Sequence, residues 1–290
     1  VVRDRIKRLV FDNDGVNIDS EDVAMQVMDD FGYDLVKRFA PDADLDRGYI
    51  YKTYPGTSTD QIIRALIKKY DLPEILIRQD HDIPESDDVS VFLADIVTIK
   101  TNERFQANLT CVPGVPAALK MVRGIYGPEN IALSTTSRAD RMDVSLSHAT
   151  DPETGLNAGL DELFPAGSRR RSGYGHANKY DESIPALGWN PEEIAVIEDS
   201  LSGVSKAKAH SADIRVVGTV AARFYTDKEA QAKALLDAGA SLVISDMRDL
   251  SVALDWLNAD MDPIVMPTFR GKVYTPYPNL NVPVLKPEIK

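Results

Sequence analysis

Three short stretches of this sequence carry residue types that can do chemistry together. Asp12 and Asp14 stand in Val10-Phe11-Asp12-Asn13-Asp14-Gly15, four hydroxyl side chains stand in Ser134-Thr135-Thr136-Ser137, and two acids stand in Ile197-Glu198-Asp199-Ser200. Each stretch follows a short apolar run. Three or four carboxylates in one place repel and raise each other's pKa, and the usual remedy is a hard cation with oxygen ligands. Magnesium keeps several waters and takes one or two carboxylates plus a substrate phosphate oxygen, so the pattern fits phosphoryl transfer on a small phosphate ester better than an all-protein calcium cage. Asp12, leaving its strand into the cleft, is placed to touch Mg2+ and to attack phosphorus, forming an aspartyl-phosphate. Asp14 is placed to protonate the leaving oxygen and then take a proton from water, while its carbonyl reaches the metal. Gly15 permits the tight turn. Thr135, with Thr136 beside it, offers hydrogen bonds to the oxygens over which the transition state spreads its charge. Asp199 and Glu198 complete the metal set.

For these groups to meet, the runs before them must be neighbouring strands. Ile6 to Phe11, Asn130 to Leu133, Ile194 to Ile197, Arg215 to Val217 and Ser241 to Ile244 read as buried strands, and helical patterns span Pro116 to Ile125, Leu201 to Ala209 and Lys228 to Ala238. Strands alternating with helices predict an α/β fold, a three-layer α/β/α Rossmann-like parallel sheet whose strand C-termini share one edge. Between about residues 20 and 112 the pattern changes to helices alone, over Val23 to Phe31, Asp60 to Tyr70 and Val89 to Phe105. So long a helical stretch between two strands of one sheet predicts an inserted α-helical cap domain. The expected division is a catalytic core at 1–19 and 113–258, a cap at 20–112, and an extended Pro-rich tail at 259–290. That tail wraps its own core, pairs with another subunit in a homo-oligomer, or is disordered.

The formal net charge of −12 argues against a nucleic-acid partner and against docking on anionic membranes. It also means that a phosphorylated substrate needs a local cation or a metal. No apolar run approaches a membrane span. The single cysteine, Cys111, forbids an internal disulfide and suits a reducing compartment. The first acidic motif begins at residue 12, which leaves little room for a secretory signal, and a cytoplasmic protein is expected. His81, His148, His176 and His210 lack metal-ligand spacing.

The runs Phe11-Asp12-Asn13-Asp14-Gly15-Val16, Ile131-Ala132-Leu133-Ser134-Thr135 and Ile197-Glu198-Asp199-Ser200-Leu201-Ser202-Gly203-Val204 resemble motifs one, two and four of the haloacid-dehalogenase-like hydrolase superfamily. The resemblance covers about residues 6 to 250 and is nearest to the branch with a helical cap after motif one, which holds sugar-phosphate phosphatases and β-phosphoglucomutase. Asp19-Ser20-Glu21, Cys111-Val112-Pro113-Gly114-Val115 and Ala238-Gly239-Ala240 are smaller echoes. The resemblance implies Asp12 as nucleophile and magnesium ligand, Asp14 as acid/base, Thr135 on phosphate, and Asp199 with Glu198 on magnesium. Motif three departs. Relatives often carry Lys-Pro-x-Pro-Asp, whereas this chain has Asn178-Lys179-Tyr180-Asp181-Glu182. Lys179 is assigned as the phosphate-binding cation, with Arg169, Arg170 and Arg171 as rivals.

The resemblance also ranks the reactions. Dehalogenases lack the second aspartate, and Asp14 is present. Phosphonate-cleaving relatives also depart at that second position and use a cap lysine; Lys52, the nearby cap candidate, reads as a solvated residue. β-Phosphoglucomutase carries a cap histidine where Ala24 stands and a Gly-x-Ser-Arg where this chain has Gly56-Thr57-Ser58-Thr59. A bisphosphate intermediate without that arginine is poorly held, so hydrolysis is expected rather than a mutase reaction. Asn17 replaces an apolar residue near the cap hinge, within reach of a substrate, and Gly203 has helix packing as its simplest explanation.

Overall fold

The structure, a computed structural model of the chain, describes residues 5–54, 57–172, 178–277, 280 and 282–285. Gly56, His176, Pro278 and Pro287 lie outside them. The chain divides into two compact units, Val1–Ser20 with Leu109–Lys290, and Glu21–Asn108.

A strand covered on both faces must be apolar along its length, and the runs read from the sequence meet that condition. They become β1 (Arg8–Phe11), β2 (Ile131–Thr135), β4 (Ile194–Glu198), β5 (Arg215–Thr219) and β6 (Leu242–Ile244), joined by β3 (Arg169–Arg171) and β7 (Val273–Tyr274). The sheet has seven strands in the order β3-β2-β1-β4-β5-β6-β7. Every pairing is parallel except β6 with β7. β1 lies between β2 and β4, with Phe11 opposite Leu133 on one side and Ile197 on the other. The residues that follow these three strands therefore emerge together. Strand order reverses here, which is where sheets of this kind offer a crevice.

The helices of the core unit are α6 (Val115–Tyr126), α7 (Ala139–His148), α8 (Leu160–Leu163), α9 (Lys179–Leu187), α10 (Leu201–His210), α11 (Lys228–Asp237) and α12 (Leu250–Asn258). α9, α10 and α11 pack beside one another on the sheet, and α6 packs with α12. One continuous cluster under the first group joins Val10, Tyr180, Ile184, Val196, Val204, Val216 and Leu235, all 1% exposed or less.

The second unit is helical throughout its regular structure: α1 (Ser20–Phe39), α2 (Tyr49–Thr53), α3 (Thr59–Lys69), α4 (Glu74–Asp80) and α5 (Val89–Asn108), α1 beginning at the unit boundary. α1 runs two turns beyond the pattern that stops at Phe31. Gly32 lowers helix propensity, but a Cβ there would lie 2.3 Å from Ile50 Cδ1, so the glycine is where two elements approach most closely. Asp29 accepts from the amides of Gly48, Ile50 and Tyr51 and so satisfies the start of α2.

The tail holds a 3₁₀ turn at Pro263–Val265. Phe269 is buried against Trp256, ring centroids 6.0 Å apart. The Arg270 and Gly271 amides each donate to the Asp249 carboxylate at 2.8 Å, and β7 then pairs with β6. This part of the tail lies on its own core. Cys111 is free and buried, and no described helix is long and apolar enough to cross a membrane.

Leu9 is fully buried on β1. Leu9→Ala is expected to cost about 2–5 kcal/mol through lost burial and the cavity left behind. A urea midpoint equal to wild type would show that β1 is not the packed centre described.

Candidate active site

The turn after β1 is built by its own backbone. The amides of Asn17 and Ile18 both donate to the Asn13 carbonyl, at 2.8 and 3.1 Å, and the Gly15 amide donates to the Ile18 carbonyl at 2.8 Å. Gly15 has φ +76°, the left-handed region that glycine tolerates best, and a Cβ on it would lie 1.8 Å from Asp199 Oδ2. Both conformation and space thus require glycine. Asn17 is fully buried, and its Nδ2 donates to the Asp12 carbonyl at 2.7 Å. It ties the main chain of Asp12.

Asp12 follows β1 beside a buried cation. Lys179, the first residue of α9, places Nζ 2.7 Å from Asp12 Oδ1 and 2.7 Å from Glu198 Oε1. Its position follows from the helix start, where Asn178 caps α9 by accepting from the Tyr180 amide and is itself tied to the Lys206 carbonyl. Burial pushes the Asp12 carboxyl up to about 7 against the pull of the Lys179 ammonium, and the Glu198 and Asp14 charges add to the rise. Burial alone would lower Lys179; the two carboxylates outweigh it and hold the ammonium charged above its usual range.

Glu198 is fully buried and held at both oxygens. Oε1 receives the Tyr180 hydroxyl at 2.7 Å as well as Lys179. Oε2 receives the Asp199 amide at 3.2 Å and the Ser200 hydroxyl at 3.2 Å. A Cβ on Gly203 would meet this carboxylate at 2.0–2.2 Å, so Gly203 makes room for Glu198 rather than serving helix packing alone.

Asp14 has its own set of donors. Ser20 donates to Oδ1 at 2.5 Å, Arg141 to Oδ1 at 2.8 Å and Ser137 to Oδ2 at 2.6 Å. Burial would raise this carboxyl; Arg141 and the two hydroxyls outweigh it and hold it below the usual carboxylate range. The hydroxyl row after β2 also resolves into separate tasks. Ser134 turns to Ser183 on α9 at 3.0 Å, Thr135 is buried and accepts the Ser137 amide at 3.0 Å, and Thr136 is partly exposed. Arg138, not Thr135, occupies the N-cap of α7. Arg169 and Arg170 lie on β3, where they donate to the carbonyls of Phe164, Asp161 and Gly167; Lys179 is the basic residue brought to Asp12.

Ligand oxygens of Asp12, Glu198 and Asp199 lie within 4.8 Å of one another. Three carboxylates and one ammonium leave two negative charges, the charge that a divalent cation neutralises. The donors are all hard oxygens, so the set fits magnesium.

Solved structures share this fold. A haloacid dehalogenase-like protein of unknown function from Agrobacterium tumefaciens superposes with a TM-score of 0.63 at 22% identity, over 87% of this chain and 99% of that one. The fold is that of the haloacid dehalogenase-like hydrolases. A putative β-phosphoglucomutase from Thermotoga maritima gives 0.59 at 21% identity, over 86% and 99%. A predicted phosphoglycolate phosphatase from Haemophilus somnus gives 0.58 at 15% identity, over 86% and 98%. No family model matches the chain, and no curated protein does.

Sequence reading missed Ser137, Arg141 and Tyr180 as parts of this fold's strand-end cluster. Ser137 belongs to the hydroxyl row already singled out, and Tyr180 follows Lys179 directly. Arg141 carried no signal, because a single arginine on a helix reads as surface.

Lys179 is 6% exposed at its side chain. Removing it leaves two buried carboxylates without their cation, so Lys179→Met is expected to destabilise the chain by about 3–5 kcal/mol. Urea unfolding of the metal-free protein measures this, and an unshifted midpoint would show that the buried pair is not formed.

Proposed function

We propose that the chain is a magnesium-dependent phosphatase that hydrolyses a small phosphorylated metabolite, a sugar or polyol phosphate, through an aspartyl-phosphate on Asp12. One observation carries the reading. The Asp12 carboxylate, at the end of a central strand, belongs to the three-carboxylate cluster and contacts a buried lysine at 2.7 Å. A nucleophile that must approach an anionic phosphate needs positive charge on both sides.

In the proposed reaction Asp12 attacks phosphorus, the ester P–O bond breaks, and the leaving oxygen takes a proton from Asp14. Water then attacks phosphorus, the Asp12–phosphate bond breaks, and Asp14 accepts the proton of that water. Arg141 holds Asp14 ionised, the form needed for the second step. Giving a proton in the first step requires that contact to be exchanged. Thr135, Thr136 and Lys179 face the transferring oxygens. Asp12 and Asp199, with the Asp14 carbonyl, would hold the metal, and Glu198 is the third carboxylate of the cluster, sharing its oxygens with Lys179 and Tyr180. When bound, the ion would supply positive charge that offsets the repulsion between the anionic ester and the carboxylates.

The solved structures of like fold support both phosphatase and mutase chemistry, since they include a predicted phosphoglycolate phosphatase and putative β-phosphoglucomutases. Ala24 and Thr59 favour water as the acceptor, because neither supplies the histidine or arginine that the mutases place there.

Phosphate release from a panel of sugar, polyol and carboxylic-acid phosphates is expected with Mg2+ and to vanish with EDTA. Asp12→Asn is expected to lower the rate by about 10³-fold or more, as loss of a nucleophile does. Release that survives chelation, or that Asp12→Asn leaves intact, sinks the mechanism. Conversion of β-glucose 1-phosphate to glucose 6-phosphate faster than free phosphate appears would replace it with the mutase reading.

A further inference from the structure

Three parts of the core unit outside the acidic motif itself converge on Asp199. Tyr225 lies in the segment between β5 and α11. Its hydroxyl lies 2.6 Å from Asp199 Oδ2 and 3.0 Å from the Asp199 carbonyl oxygen. Gln231, on the first turn of α11, donates from Nε2 to the same carbonyl at 2.9 Å. From the other side Gly15 stands so near that even a Cβ would lie 1.8 Å from Oδ2.

The supports of these groups are themselves fixed. The Tyr225 ring meets Phe224 edge-on, centroids 5.8 Å apart at 70°. Asp227 caps α11 by accepting from the Ala230 amide at 2.9 Å, which sets where the helix carrying Gln231 begins. The carboxylate is therefore gripped at one oxygen, wedged against a glycine that admits nothing larger, and tied at its main chain. A hydroxyl at this distance from an ionised oxygen makes a short, charge-assisted bond. Packing alone does not need it, since a phenylalanine ring would fill the same place.

We propose that Tyr225 is a positioning residue for a divalent cation: it holds the Asp199 carboxylate in the orientation that joins Asp12, and so sets how tightly the cluster binds metal. The proposal rests on reading the cluster as a metal site. Groups that orient a ligand in this way commonly govern affinity by an order of magnitude or more, because the ligand's freedom is spent before the ion arrives.

The test uses the full chain stripped of metal, with Mn2+ as probe. Free Mn2+ is followed by electron paramagnetic resonance and binding by titration calorimetry. Tyr225→Phe is expected to bind Mn2+ about tenfold or more weakly than wild type, with the metal-free chain still folding cooperatively. Gln231→Leu is expected to shift affinity in the same direction. Phe224→Leu, which spares the hydroxyl, is expected to keep it. Unchanged affinity in Tyr225→Phe overturns the proposal. Should that variant fail to fold, unchanged affinity in Gln231→Leu overturns it. A wild-type chain that binds no Mn2+, or an Asp199→Asn chain that binds it as tightly, fails differently: the metal reading falls, and the role of Tyr225 with it.

Discussion

The Lys179 ammonium, buried between Asp12 and Glu198, is the contact on which the rest of the strand-end architecture depends. Taking a charge out of water is costly unless partners surround it, and here the partners come from β1, β4 and the start of α9. The capped start of α9 that delivers this charge also brings Tyr180 onto Glu198, and the Glu198 carboxylate occupies the space that Gly203 leaves on α10. Sheet and helices are thus registered to one another by an ion pair as well as by the apolar cluster beneath it.

Each of the four carboxylates has its own set of neighbours. Asp12 has a lysine, Asp14 an arginine and two serines, Glu198 the same lysine with a tyrosine and a main-chain turn, and Asp199 a tyrosine and a glutamine. Their like charges are therefore not interchangeable. Asp12 is pushed up by burial while Asp14, two residues away, is held down by its donors.

What the sequence made legible follows from the range of the forces involved. β1, β2 and β4 announce themselves because burial on both faces forces a continuous apolar run, and a parallel sheet then carries their acidic ends to one edge. Lys179 was assigned from the resemblance at motif three, with the arginines of β3 as rivals; the fold brings Lys179 to Asp12 and turns Arg169 and Arg170 to main-chain carbonyls. Arg141, Tyr225 and Gln231 were not readable, since each lies in a helix or a connecting segment and acquires its meaning only across the fold. β3 was hidden because three arginines do not look like a strand, and β7 because two residues among prolines carry no periodicity. The extension of α1 past Phe31 was hidden by Gly32, a poor helix former retained for close approach.

The two borders of the sheet are finished by opposite means. An open strand border offers a row of unpaired amides and carbonyls to any passing chain, and proteins blunt such borders with charge or by covering them. β3 is arginine at all three positions, so a second copy approaching edge to edge meets its own repulsion. β6 is fully apolar and buried, and there the chain folds its own tail back as β7. The described part of the tail thereby covers the apolar strand β6, and the border it leaves is only the two residues of β7.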